Sequence, residues 1–177
     1  MHKDIKKIFI DEEALIEKIK SMAEQINVDY QNEKIVLVGL LSGSVPFLAE
    51  LMKHITLDCE IDFMDVSSYH GTKSTGEVRI LKDLDRPIDS CNVIIVEDIV
   101  DTGKTLKVVK EILDNRGPKS LKIATLLDKP EGRVVDCHSE YIGFSIPNEF
   151  VVGFGLDYNE LYRNLPYVGV LKEECYM

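Results

Sequence analysis

Two carboxylates and a hydroxyl-rich turn lie close together in the stretch from Asn92 to Leu113. Glu97 and Asp98 come first, and Asp101, Thr102, Gly103, Lys104 and Thr105 follow. A turn that opens a helix presents free backbone N–H donors and the positive end of the helix dipole, which together suit a phosphate. Gly103 lets the backbone approach the anion closely or adopt a positive φ. Thr102 and Thr105 add hydroxyl donors, and Lys104 adds a positive charge. The acids upstream do different chemistry. A carboxylate accepts hydrogen bonds from sugar hydroxyls, or ligates a hydrated Mg²⁺. A nucleoside-triphosphate loop of the form G-x-x-x-x-G-K-[ST] needs glycine where Asp98 stands, and two carboxylates beside such a loop repel a triphosphate. The pattern points instead to a sugar phosphate, with its phosphate in the loop and its ribose over the acidic pair. The bland alternative is a strand–turn–helix with a solvated acidic turn.

These residues need elements to hold them. Val93, Ile94, Ile95 and Val96 form an unbroken β-branched run, the mark of a strand buried on both faces of a parallel sheet. From Leu106 the spacing turns helical through Val109, Ile112 and Leu113, until Asn115, Gly117 and Pro118 stop it. Lys34 to Leu41, KIVLVGLL, predicts a second buried strand. Ser42-Gly43-Ser44 follows, then a helix through Phe47, Leu48, Leu51 and Met52, with Pro46 in its first turn. Two such turns on neighbouring parallel strands face each other at the carboxyl edge, so one could hold a 5′-phosphate and the other a pyrophosphate. Upstream, Asp11 caps a packing helix through Leu15, Ile19, Met22 and Ile26. Cys59 to Val66 and Glu77 to Lys82 predict strands around the polar stretch Ser67 to Gly76, which is either a lid or a plain hairpin tip. Ser120 to Asp128 predicts another strand, ending at Lys129, after which Pro130, Gly132 and Arg133 break the pattern. The class is α/β, with a mainly parallel sheet flanked by helices and a single domain over residues 1–177.

The run from Glu97 to Thr105 resembles the phosphoribosyl-pyrophosphate (PRPP) motif of the phosphoribosyltransferases, and in detail that of their hypoxanthine-guanine branch. Leu-Leu-Asp-Lys-Pro ending at Pro130 and the tail FVVGFGLDYNELYRNLPYVGVL from Phe150 resemble the same branch, so the likeness runs from about Leu37 to Leu171. It implies a type I phosphoribosyltransferase-like fold, with a small C-terminal hood over the purine and a flexible hairpin lid in which Ser68 and Tyr69 match the mobile catalytic loop. It implies that Asp101 to Thr105 hold the 5′-phosphate, and that Glu97 and Asp98 hold the ribose hydroxyls and one Mg²⁺. Leu41-Ser42-Gly43-Ser44 is similar to the pyrophosphate loop, with a cis peptide expected between Leu41 and Ser42. Ser42 stands where lysine or arginine is usual, which leaves the N–H groups of Ser42 and Gly43 as binders.

Lys129 falls at the base-recognition position. An ammonium has only donors, so it holds the 6-oxygen of hypoxanthine or guanine and offers nothing to the amino group of adenine. On the purine side, Phe150 is expected to stack on the base, Val151 to meet its edge with main-chain groups, and Asp157 to bring a carboxylate for a second metal. Arg163 is expected to bind pyrophosphate. Asp101 matches the acid/base aspartate and would take the proton from N7. The implied reaction moves a 5-phosphoribosyl group from PRPP to N9 of hypoxanthine or guanine, giving IMP or GMP. The expected cofactor is Mg²⁺, and the expected assembly a homo-oligomer, dimer or tetramer.

Composition narrows the rest. The chain has 177 residues and a net charge of −10, which speaks against an electrostatic nucleic-acid binder. This counts against the rival reading of an RNA-binding regulator on the same fold. Lys129 disfavours an adenine transferase, while xanthine is not separated from guanine. The four cysteines form no C-x-x-C pair. With no apolar run of signal-peptide or membrane length, no membrane partner is expected and the expected location is the cytoplasm.

Overall fold

The β-branched run Val93–Val96 lies fully buried at the middle of a six-stranded sheet. The structure, a computed structural model, describes residues 1–68 and 78–176. The large sheet is built from β2 (Ile35–Leu40), β3 (Cys59–Ser68), β4 (Val78–Lys82), β5 (Asn92–Val100), β6 (Ser120–Asp128) and β7 (Tyr141–Ser145), in the spatial order β4-β3-β2-β5-β6-β7. Every pairing is parallel except that of β3 with β4. All six residues of β2 are buried, as a central parallel strand covered on both faces requires.

Alternation along β2 and β5 divides the interior in two. Leu37, Ile94 and Val96 face helices α1 (Glu12–Asp29) and α2 (Val45–Met52), meeting Leu15, Ile19, Phe47 and Leu51. Val38, Val93 and Ile95 face helix α3 (Lys104–Asp114), whose stripe Leu106, Val109 and Leu113 is buried against them. Burial of each such side chain contributes roughly 1.5–3 kcal/mol, and it fixes the register. With Ile35 opposite Asn92 and Gly39 opposite Val96, the turn after β2 must emerge beside the second half of β5. The Asp11 cap forms as expected, its Oδ1 accepting from the Ala14 N–H at 2.9 Å.

Three findings differ from the sequence reading. β5 runs on past the β-branched stretch to include Glu97 and Asp98, because β6 pairs alongside them from Glu97↔Thr125 to Val100↔Asp128 and keeps the chain extended. The second sheet, which forms the hood, contains a strand from the start of the chain. Its order is β1-β9-β8, with β1 at Ile5–Ile10, β8 at Val151–Val152 and β9 at Val168–Leu171. Two register shifts interrupt β1, which erases the period-two pattern that would have announced it. Thirdly, β3 runs on through Ser68, paired antiparallel with Val78. Of the expected lid pair, Ser68 therefore closes a strand, and Tyr69 lies outside the described residues.

Candidate active site

The strand β5 delivers its last residues to the carboxyl edge, and the chain turns there into α3. Gly103 is the residue before α3 and takes φ 78°, a left-handed conformation that costs other residues about 1–2 kcal/mol. The expectation that this position needs glycine is met. The Lys107 N–H donates back to the Gly103 carbonyl at 2.9 Å, while Asp101, Thr102 and Lys104 are exposed. A cavity of about 260 Å³ opens here, lined by Asp101 to Thr105 together with Glu97 and Leu41. The five loop residues and one of the two acids thus share one hollow at the start of a helix.

The other acid reaches the opposite turn. A methyl group placed on Gly43 would stand 1.8 Å from Asp98 Oδ2, so only glycine lets the carboxylate pack onto the Ser42-Gly43-Ser44 turn. Leu41–Ser42 is a cis peptide, as the resemblance implied. Ser42 is exposed, and the buried Ser44 hydroxyl has no partner among the described residues. Burial, and then the neighbouring charge of Asp98, push the Glu97 carboxyl well above the usual carboxylate range. Burial also raises Asp98, although its bonds to Glu97 and to the Ile99 N–H oppose the shift. Two carboxyls that resist ionising side by side are where a divalent cation gains most. No group of three or more potential metal ligands exists among the described residues.

The hood closes on the same corner. Gly155 is packed so tightly that a Cβ there would lie 1.9 Å from the Gly43 carbonyl oxygen. Arg163 Nη1 donates to the Gly155 carbonyl at 2.8 Å and pairs with Asp157 at 3.0 Å, while Nη2 pairs with Glu160 at 3.2 Å. Asp157 also accepts from the Glu160 N–H at 2.9 Å. Arg163, Gly155, Gly43 and Asp98 therefore form a continuous chain of contacts. Within it, Arg163 and Asp157 are engaged with each other.

Among the residues expected to meet the purine, the Lys129 N–H donates to the Val100 carbonyl at 2.9 Å, and the lysine side chain is buried. Its Nζ stands 3.9 Å from Asp101 Oδ2. Phe150 is 39% exposed. Its ring stacks on Tyr176 at 4.8 Å and meets Tyr158 edge-on at 5.6 Å. Val151 is buried in the hood sheet opposite Val170. Neither Phe150 nor Val151 lines the 260 Å³ cavity. Sequence reasoning missed Tyr176, and it also missed the buried ion pair of Asp128 with Arg133. Their only signal was an acid at a strand end with a cation five residues on.

Comparison with known proteins identifies the family. A family model described as a phosphoribosyl transferase domain matches residues 7–159. A hypoxanthine-guanine phosphoribosyltransferase of Streptococcus pyogenes is 58% identical over 99% of this chain and 98% of its own length. One from Lactococcus lactis is 57% identical over 99% and 96%. The crystal structure of a hypoxanthine phosphoribosyltransferase from Staphylococcus aureus superposes with a TM-score of 0.97 at 52% identity, covering 100% of this chain and 97% of that one. Matched by the family model over most of its length and by relatives along nearly all of it, this protein belongs to the phosphoribosyl transferase family.

Proposed function

We propose that this chain is a purine salvage enzyme that transfers the 5-phosphoribosyl group of PRPP to N9 of hypoxanthine or guanine. The single observation carrying the reading is the approach of Lys129 Nζ to Asp101 Oδ2, 3.9 Å, at the rim of the anion-binding turn. A donor for O6 and an acceptor for the N7 proton must reach neighbouring edges of one purine, and this close approach supports that pairing. The relatives, hypoxanthine-guanine phosphoribosyltransferases by name, support the same substrates.

The bond from C1′ to the pyrophosphate oxygen breaks, and its electron pair leaves on that oxygen. The developing cationic centre at C1′ resembles that of glycosidic chemistry. The N9 lone pair forms the new bond, and the N7 proton, made acidic by that attack, passes to Asp101. The Asp101–Thr105 turn fixes the 5′-phosphate through N–H and hydroxyl donors. Glu97 and Asp98 accept from the ribose hydroxyls and would hold Mg²⁺, which supplies positive charge against the departing pyrophosphate. The N–H groups of Ser42 and Gly43 are its protein donors, with Arg163 reaching it by exchanging Asp157 for the ligand. Phe150 would stack on the base and Val151 meet its edge; Asp157, freed from Arg163, is available to a second Mg²⁺.

A single domain over residues 1–177 is our reading, supported by the hood's contact with Gly43. A homo-oligomer in the cytoplasm is our reading of its state. Among the described residues no helix is long and apolar enough to cross a membrane; the four cysteines are free thiols, which favours a reducing compartment. The test is purified protein with PRPP, Mg²⁺ and each free base in turn. IMP and GMP should form while adenine gives no nucleotide. Product from adenine at a comparable rate, or none from any base, overturns the reading.

A further inference from the structure

Arg133 has no place in the chemistry described so far, yet its side chain is only 17% exposed and lies against the proposed phosphate turn. The 3₁₀ turn Pro130–Gly132 follows Lys129 and leads into Arg133. Three contacts fasten this segment to the loop of β5 and α3. The Val134 N–H donates to the Thr102 carbonyl at 3.1 Å. A methyl on Gly132 would stand 2.1 Å from Asp101 Oδ1. A methyl on Gly103 would stand 3.1 Å from Arg133 Cδ and 3.2 Å from Arg133 Nη1.

The guanidinium is asymmetrically used. Nη2 donates to Asp128, whose side chain is only 12% exposed. Nη1 is buried and has no partner among the described residues. A buried N–H without an acceptor is costly unless something supplies one. The pair is neutral as a whole, but its acceptor end lies at Asp128 and its free donor end lies under Gly103. The positive end thus faces the N-terminus of α3, adding to the helix dipole at the place where an anion would arrive.

We propose that Arg133 is a positioning residue for the 5′-phosphate of PRPP. From beneath Gly103 it supports the Asp101–Thr105 turn with positive charge, and through Asp128 it ties that turn to the strand end that carries Lys129. The inference deepens the proposed function and rests on its placing of the 5′-phosphate in that turn. It identifies the ligand only by chemistry, a phosphomonoester on a sugar.

Ribose 5-phosphate carries that group without pyrophosphate or purine, so its binding, measured by calorimetry on the full chain, reads this interaction without turnover. Arg133→Gln and Arg133→Lys are compared with the wild type, alongside thermal melting. Arg133→Gln should weaken ribose 5-phosphate about tenfold, and raise the KM of PRPP by a similar factor. It should leave the KM of hypoxanthine at saturating PRPP within about twofold. Arg133→Lys keeps the charge and should stay within about threefold of wild type for every ligand. Arg133→Met, which loses the charge at similar bulk, repeats the comparison should the Gln variant fold poorly. Unchanged ribose 5-phosphate affinity in both neutral variants overturns the proposal. So does an equal loss in the Lys and Gln variants, which marks a brace that acts by shape alone. If the wild type makes no nucleotide but the binding losses follow charge as stated, the transfer reading fails and the Arg133 assignment stands.

Discussion

The proposed phosphate side of this site is one run of chain, and the proposed purine side is a collection. Glu97 to Thr105 leave β5 and enter α3 without interruption, and the turn's donors face an open cavity. Lys129, Phe150, Asp157 and Arg163 come from the end of β6, the residue before β8 and a hood loop, and each already has a partner. Lys129 stands by Asp101, Phe150 by Tyr176, and Arg163 by Asp157. The contrast teaches that a contiguous loop on a parallel sheet is preorganised by two strands and a helix dipole. A scattered set must hold itself in place with its own contacts until substrate replaces some of them.

Four perturbations sharpen or break that contrast. The largest effect belongs to Asp101, the residue where the two sides meet. Asp101→Asn should lower kcat by at least about 100-fold, the lower end for acid–base work, with the KM of PRPP little changed. Steady-state kinetics decide it, and near-normal turnover removes Asp101 from the role. Next is Lys129→Ala. A hydrogen bond from a charged donor is worth about 1.5–3 kcal/mol, so the KM of hypoxanthine should rise roughly 10- to 100-fold and that of PRPP far less. Equal weakening of both would mean the two sides are not separable.

Smaller still is the effect of Tyr176→Ala. An aromatic pair contributes about 0.5–1.5 kcal/mol, so loss of the ring behind Phe150 should raise the purine KM roughly 2- to 10-fold, and Tyr176→Phe should restore it. A purine KM indifferent to Tyr176 would show that Phe150 needs no support.

The smallest effect is on stability. Glu97 and Asp98 hold their protons more tightly in the folded chain than in the unfolded one. The stabilisation this brings is present below the ordinary carboxylate range, and it is lost as pH rises through the raised values. Without added metal, melting temperature should fall across that window. Glu97→Gln, which cannot ionise, should flatten the fall and raise Tm at neutral pH by about 2–4 °C for each ~1 kcal/mol relieved. An identical pH profile in the variant would show that the acidic corner carries no such tension.

How much could be read beforehand follows the same division. Asp101 to Thr105 were legible because neighbours in sequence are neighbours in the turn, and the β-branched run before them fixed the strand. The facing turn at Ser42-Gly43 was legible for the same reason, repeated on β2. Other parts left no local pattern. The bulges in β1 hid its place in the hood. The reach of Asp98 onto Gly43 and of Gly132 onto Asp101 are contacts between distant segments, and spacing along one segment cannot report them. Tyr176 supports Phe150 from 26 residues further on, beyond any helical or strand period. Arg133 looked like a loop residue because its partner sits at the end of the preceding strand, and its burial became visible only once α3 was in place.

The account stands on the claim that Asp101 and Lys129 serve a single bound nucleotide. A crystal structure with IMP measures this directly. The account predicts the 5′-phosphate in the Asp101–Thr105 turn, with O6 within hydrogen-bond reach of Lys129 Nζ and N7 within reach of the Asp101 carboxylate, about 2.6–3.2 Å in each case. A hypoxanthine ring seated elsewhere, with Lys129 still resting beside Asp101, would contradict it.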